Sequence, residues 1–165
     1  MIVIADTTPL HYLILIGEVE VLKKMFGSVI LPQAVIDELT RDRTPQPVRD
    51  WIDSQPSWIE VKQPSLELAD AAKSLGKGER AAIALAVELA ADALLLDDKR
   101  AKNEARRRNI PVITILNILE TAAERGWLDL PDAIARLRQT SFYLPTEGAI
   151  KEVLERDGQR RSGES

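Results

Sequence analysis

Cysteine is absent from the 165-residue chain, which excludes a disulfide framework, a thiol nucleophile and a thiolate metal site. Histidine occurs once, as His11. No multi-histidine ligand set can form, so a metal would have to be held mainly by carboxylates and water. With no ligand pattern around it, His11 is expected to pack or hydrogen-bond. Long apolar runs are missing too: the uninterrupted stretch 12–16 is far too short to span a bilayer. No basic segment of the secretory-signal kind precedes it, and a cytoplasmic protein is expected. There is no surplus of positive charge either. The formal net charge is −4, whereas nucleic-acid-binding domains are usually basic.

What is present is the composition of an ordinary soluble globular protein, with 45% hydrophobic and 29% charged residues. The length suits one domain with a substantial core. The opening stretch Ile2-Val3-Ile4-Ala5-Asp6-Thr7-Thr8-Pro9-Leu10 reads as a buried strand that ends in an acid. A helix follows, with Thr8 as N-cap and Pro9 in its first turn, running to Ile16 and stopped by Gly17. In open parallel sheets, ligands bind at the carboxyl ends of the strands, and Asp6 is placed there.

The same design recurs. Ala93-Leu94-Leu95-Leu96 is a continuous apolar strand ended by Asp97-Asp98. Between the two lie a β-branched strand at 29–31, a helix opened by Pro32 that carries Asp37 and Glu38, and a short helix over 47–53. A strand over 58–61 and an Ala-rich helical segment over 66–75 come next, with Trp51 and Trp58 expected in packing. Gly76-Lys77-Gly78-Glu79 then leads into a strong helix over 80–90. Glu79 in its first turn is fully accounted for by the helix dipole, and it can equally face a site. A lone Gly-x-Gly defines no phosphate loop, and Walker and dinucleotide patterns are absent.

After Asp98, a basic helix from Lys99 to Arg108 turns Ala101 and Ala105 inward. Ile110-Pro111-Val112-Ile113 gives a strand whose proline suits a strand start or an edge. Thr114 ends it. Helices over 116–125, from 130, and from 146 to about 156 complete the domain, and 157–165, poor in large apolar residues, is expected to be disordered. The strand–helix alternation predicts an α/β fold, a parallel sheet with helices on both faces, as a single domain over 1–156.

Two strand-end acids with Glu38 and Glu79 can bring four carboxylates together. Like charges at close range raise one another's pKa unless cations are present. Hard oxygen ligands without Cys and with one His suit Mg²⁺ or Mn²⁺. Such a site lowers the pKa of a bound water and stabilises charge on a phosphodiester oxygen. Thr8 and Thr114 are candidates to orient a water or a phosphate. The basic segment beside the acids, with Lys99, Arg100 and Lys102 nearest, is compatible with a surface that contacts phosphates.

Four stretches, in this order, resemble the PIN-domain nucleases, and among them the VapC-like toxins: 2–10 (IVIADTTPL), 31–39 (LPQAVIDEL), 75–83 (LGKGERAAI) and 94–100 (LLLDDKR). The resemblance spans residues 1 to about 120, and the Leu-Gly-x-Gly-Glu subgroup matches best. It implies a Rossmann-like sheet and assigns the catalytic and metal-binding acids to Asp6, Glu38, Glu79 and Asp98, with Asp97 in support. It further implies Mg²⁺ or Mn²⁺, an RNA substrate, an antitoxin partner that covers the acidic groove, and a homodimer; on that reading the basic residues Lys99, Arg100 and Lys102 would contact the RNA backbone. Two positions depart from the family's pattern. Glu79 stands where many relatives carry Asp, and Lys99-Arg100-Ala101 replaces the usual aromatic ending after the last acid. The expected activity is therefore a metal-dependent endoribonuclease of a toxin–antitoxin pair, the alternative being a catalytically weak PIN-like module that binds RNA or protein. A phosphatase or phospho-receiver fits less well, because Asp6-Thr7-Thr8 lacks the second Asp of an Asp-x-Asp signature.

Overall fold

The computed structural model describes residues 1–68 and 74–163. The chain divides into two compact units, Met1–Ile115 and Leu116–Ser165. The first is built on five parallel strands: β1 (Val3–Ala5), β2 (Val29–Pro32), β3 (Ile59–Lys62), β4 (Ala93–Leu95) and β5 (Val112–Ile113). Their order across the sheet is β3-β2-β1-β4-β5. The chain winds outward from β1 in one direction, then returns to place β4 on the other side of β1. The reversal makes the carboxyl end of the β1–β4 pair a topological switch point, where a crevice opens in sheets of this kind.

Every residue of β1 and β4 is buried. Alternate strand residues point to opposite faces, so burial of all of them means that both faces of the sheet are covered. Register shows how one face is filled. Ile4 stands opposite Ile30 on one side and Leu94 on the other, which puts the three on a single face. They share a core with Ala82, Ile83, Leu85 and Ala86 of α5 (Lys77–Glu88) and with Ala101 and Ala105 of α6 (Lys99–Arg107). The small residues of α5 and α6 let the helix backbones approach the sheet closely, and the basic positions of α6 are left outward. Both helices are as expected.

The remaining helices of this unit are α1 (Thr7–Leu15), α2 (Glu20–Phe26), α3 (Gln33–Leu39) and α4 (Gln46–Asp53). Gly17 ends α1 in the left-handed region at φ +77°, and its N–H bonds the Ile14 carbonyl at 3.0 Å. Trp51 and Trp58 pack edge to face, with ring centroids 5.6 Å apart. Pro111 precedes the edge strand β5 and offers its carbonyl to the Leu94 N–H at 2.9 Å. The helix start differs from expectation: α1 begins at Thr7 with Asp6 at the N-cap, so Thr8 is no cap. The helix starts two residues earlier than a Thr8 cap requires, because the backbone turns directly at the acid. The expected helix over 66–75 falls largely outside the described residues.

In the second unit, α7 (Ile115–Glu124), which begins at the boundary, is followed by α8 (Leu130–Arg138) and α9 (Glu147–Gly163). Asp129 caps α8, accepting from the Asp132 N–H at 2.9 Å. The segment from Asp157, expected to be disordered, instead continues α9 to Gly163. Composition understated its contacts. Asp157 is buried and pairs with Arg161 at 2.6 Å. Arg156 grips Glu120 through two bonds, and Arg160 reaches Glu124.

Candidate active site

The site follows from strand register. Ala5 pairs with Leu95, and the Asp6 N–H extends the ladder to the Leu95 carbonyl at 3.0 Å. Asp6 and the Asp97-Asp98 pair therefore leave adjacent strands at the same edge, on either side of the switch point. Asp6 is 2% exposed, and its Oδ1 is buried with no hydrogen-bond partner. Burial pushes its carboxyl up to about 7. The Thr7 N–H opposes this, and the negative charges of Glu79, Glu38 and Asp98 reinforce it. A buried carboxylate with a bare oxygen is costly unless something positive or protonated sits against it.

Glu38 arrives from the last turn of α3. Its Oε2 accepts from the Thr7 hydroxyl at 2.6 Å, and its Oε1 accepts from the Gly78 N–H at 3.0 Å. Glu79, in the first turn of α5, accepts from the Gly76 N–H at 3.2 Å, which is half of a capping box. Burial raises its pKa against that bond, and Asp98 and Glu38 raise it further. Glu79 thus serves the start of α5 while lying within electrostatic reach of Asp98 and Glu38. Asp98 is exposed and caps α6, its Oδ2 accepting from the Ala101 N–H at 3.0 Å.

Asp97 turns the other way. Both its oxygens lie 3.2 Å from the Ile115 N, so it secures the backbone at Ile115, the last residue of the first unit, beside Thr114. Burial lifts its carboxyl to about 6 against the Ile115 N–H and the charge of Lys102. Lys102 therefore lies near this edge, while Lys99 and Arg100 are exposed at the start of α6. Further along, Glu104 is buried and engages Arg107 and Arg108, which hold its pKa low. Those two arginines, counted as part of the basic segment, serve the fold. Thr8 and Thr114 are half-buried near the edge, and His11 leans against Tyr12 with its pKa lowered by burial.

Thr7 and Gly78, which touch Glu38, were not singled out as site residues from sequence. The available signal was their position, immediately after Asp6 and immediately before Glu79. Four acids from β1, α3, α5 and the end of β4 are thus coupled electrostatically. The donor set is all oxygen, and the bare Asp6 Oδ1 suits a hard divalent cation. Among the described residues, no group of three or more His, Asp or Glu stands close enough together to hold a metal ion by itself. Waters or phosphate oxygens would have to complete a shell.

An all-parallel α/β sheet with carboxylates near its switch point defines a Rossmann-like protein. The family model for the PIN domain, DUF3368, matches residues 2–159, and the chain belongs to the PIN-domain family. That family has a nuclease-type fold and generally works with divalent metal ions. No curated protein matches the chain. Among the described residues, no helix is long and apolar enough to cross a membrane.

Proposed function

We propose that this protein is a metal-dependent endoribonuclease that hydrolyses RNA phosphodiesters, acting as the toxin of a VapC-like toxin–antitoxin pair in the cytoplasm. The observation that carries the reading is the bare, buried Asp6 Oδ1 at the switch point, with three further acids coupled to it. Asp6, Glu38, Glu79 and Asp98 would hold Mg²⁺ or Mn²⁺. When bound, such an ion acidifies a water and stabilises charge on the phosphodiester. Asp6 supplies an oxygen with no competing protein donor. Glu79 and Asp98 add the negative potential that draws a cation in. Lys99, Arg100 and Lys102 offer RNA phosphates positive charge beside Asp98. Asp97 fixes the backbone next to Thr114, whose hydroxyl would orient a phosphate.

The test is cleavage of RNA by the pure protein with Mn²⁺ or Mg²⁺, beside Asp6→Asn. We expect the variant to lose on the order of 10²-fold or more in rate. Equal rates would remove the site from the mechanism. An antitoxin that occludes the crevice and a homodimeric state belong to the same reading. The first is tested by suppression of cleavage on adding the product of the neighbouring reading frame, and the second by sedimentation.

One observation favours a second reading, a catalytically weak module that binds RNA or protein. Glu38, Glu79 and Asp98 each already accept a hydrogen bond from the protein. RNA retained without cleavage at saturating Mn²⁺ is the outcome that selects it.

A further inference from the structure

The Glu38 carboxylate bridges two backbone segments, each of which carries another acid of the site. Thr7, the neighbour of Asp6, donates its hydroxyl to Oε2 at 2.6 Å, and Gly78, the neighbour of Glu79, donates its N–H to Oε1 at 3.0 Å. One side chain from α3 thus ties the end of β1 to the first turn of α5. We infer that Thr7 and Gly78 are positioning residues that act through Glu38 to set the spacing between Asp6 and Glu79. The inference rests on reading the site as metal-dependent, because a shared cation is what makes that spacing matter.

The glycine carries the argument furthest. A Cβ on Gly78 would lie 2.9 Å from Glu38 Oε1, closer than real Cβ contacts come, and 3.0 Å from both Cδ and Oε2, tighter than nearly all of them. The carboxylate is bonded from both sides, so it cannot retreat without giving up Thr7 or the Gly78 N–H. No other demand for glycine exists at this position. Gly78 is not among the glycines with positive φ, and as the second residue of α5 it sits where alanine would be the better helix former. The other half of the Gly-x-Gly pair makes the contrast: a Cβ on Gly76 would meet nothing within 4 Å. The motif therefore contains one glycine whose missing side chain is the space for Glu38. At the other end, the Thr7 hydroxyl is the only part of that side chain which the bridge uses, so serine can replace it and valine cannot.

The test uses the full chain with Thr7→Val, Thr7→Ser and Gly78→Ala. Mn²⁺ affinity is measured by calorimetry, RNA cleavage at saturating Mn²⁺, and thermal stability without metal. Groups that orient ligands typically cost about 10–100-fold in metal affinity when removed. We expect Thr7→Val and Gly78→Ala to weaken Mn²⁺ binding by about tenfold or more, and Thr7→Ser to restore it. Gly78→Ala should do so while melting no lower than wild type, since alanine favours the helix; a merely structural glycine would not separate the two readouts. Wild-type affinity and cleavage in both Thr7→Val and Gly78→Ala would overturn the positioning role and leave the active-site reading standing. So would losses of affinity that only follow losses of stability. A wild-type protein that neither binds Mn²⁺ nor cleaves RNA would bring down the active-site reading first, and the positioning role with it.

Discussion

Strands β1 and β4 lie side by side, run the same way and each hand over to a helix through an aspartate at the N-cap, Asp6 for α1 and Asp98 for α6. The two caps behave differently. Asp98 accepts from the Ala101 N–H, as an N-cap aspartate ordinarily does, and is exposed. Asp6 makes no capping bond, is buried, and keeps one oxygen without a partner. Chain length explains part of this. Asp6 follows its strand at once, whereas Leu96 and Asp97 intervene before Asp98 and carry it outward. A capping bond is worth about 1 kcal/mol, and burying an unpaired carboxylate works against the fold. Asp6 carries both penalties with no return to the helix, whereas Asp98 contributes its cap to α6; in the proposed function that cost is what a chemical role for Asp6 would offset.

The contrast breaks most visibly in stability against pH. Asp6 has a folded pKa of about 7 against an ordinary value of 3.8. The folded protein therefore keeps a proton that the unfolded chain has lost. The stability linked to that proton is fully present below about pH 4 and is lost as the pH rises through about 7. Removing the charge with Asp6→Asn should then stabilise the metal-free protein by up to about 4 kcal/mol at pH 8. The gain should vanish near pH 3, as urea titrations at the two pH values would report. An equal or lower stability at pH 8 would show that the carboxylate is satisfied after all.

Asp98 should show the opposite sign. Asp98→Ala loses the cap and should cost about 1 kcal/mol in thermal or urea unfolding, whereas Asp98→Asn, which can still cap, should cost much less. A stabilising Asp98→Ala would make the two strand ends equivalent. The smallest effect concerns the basic start of α6. Lys99→Ala with Arg100→Ala should reduce the salt slope of RNA binding by about 0.7 for each lost phosphate contact, measured with single-stranded RNA in the Asp6→Asn background. An unchanged slope would place the RNA elsewhere.

Much of this arrangement was legible in the sequence. Continuous apolar runs at 2–5 and 93–96 marked buried parallel strands, because both faces of such strands must be apolar. Asp6 and Asp98 could be placed at the sheet edge from their position after those runs, and Glu79 from its place in a first turn. The tail from Asp157 was misread, because Arg160 and Arg161 make ion pairs with Glu124 and Asp129 that composition does not reveal. Thr8 was taken for the cap because Ser and Thr before proline usually are; the turn came two residues sooner, at Asp6. The division of labour between neighbouring Asp97 and Asp98 was also hidden. It depends on which acid the Ile115 N–H reaches, and that is set by a residue 18 positions away.

By itself, then, the sequence determined the class of fold and the chemistry available. Apolar periodicity dictates strands and helices, and a chain without cysteine and with one histidine can present only oxygen-rich sites. The tertiary structure alone decided which acids meet and in what state. Crossing from β3 back to β4 brings Asp98 beside Asp6, and α3 carries Glu38 between Thr7 and Gly78. Burial and mutual repulsion, which raise the Asp6 carboxyl to about 7, exist only once those segments are packed together. Electrostatic coupling depends on distance through space, and distance along the chain does not supply it.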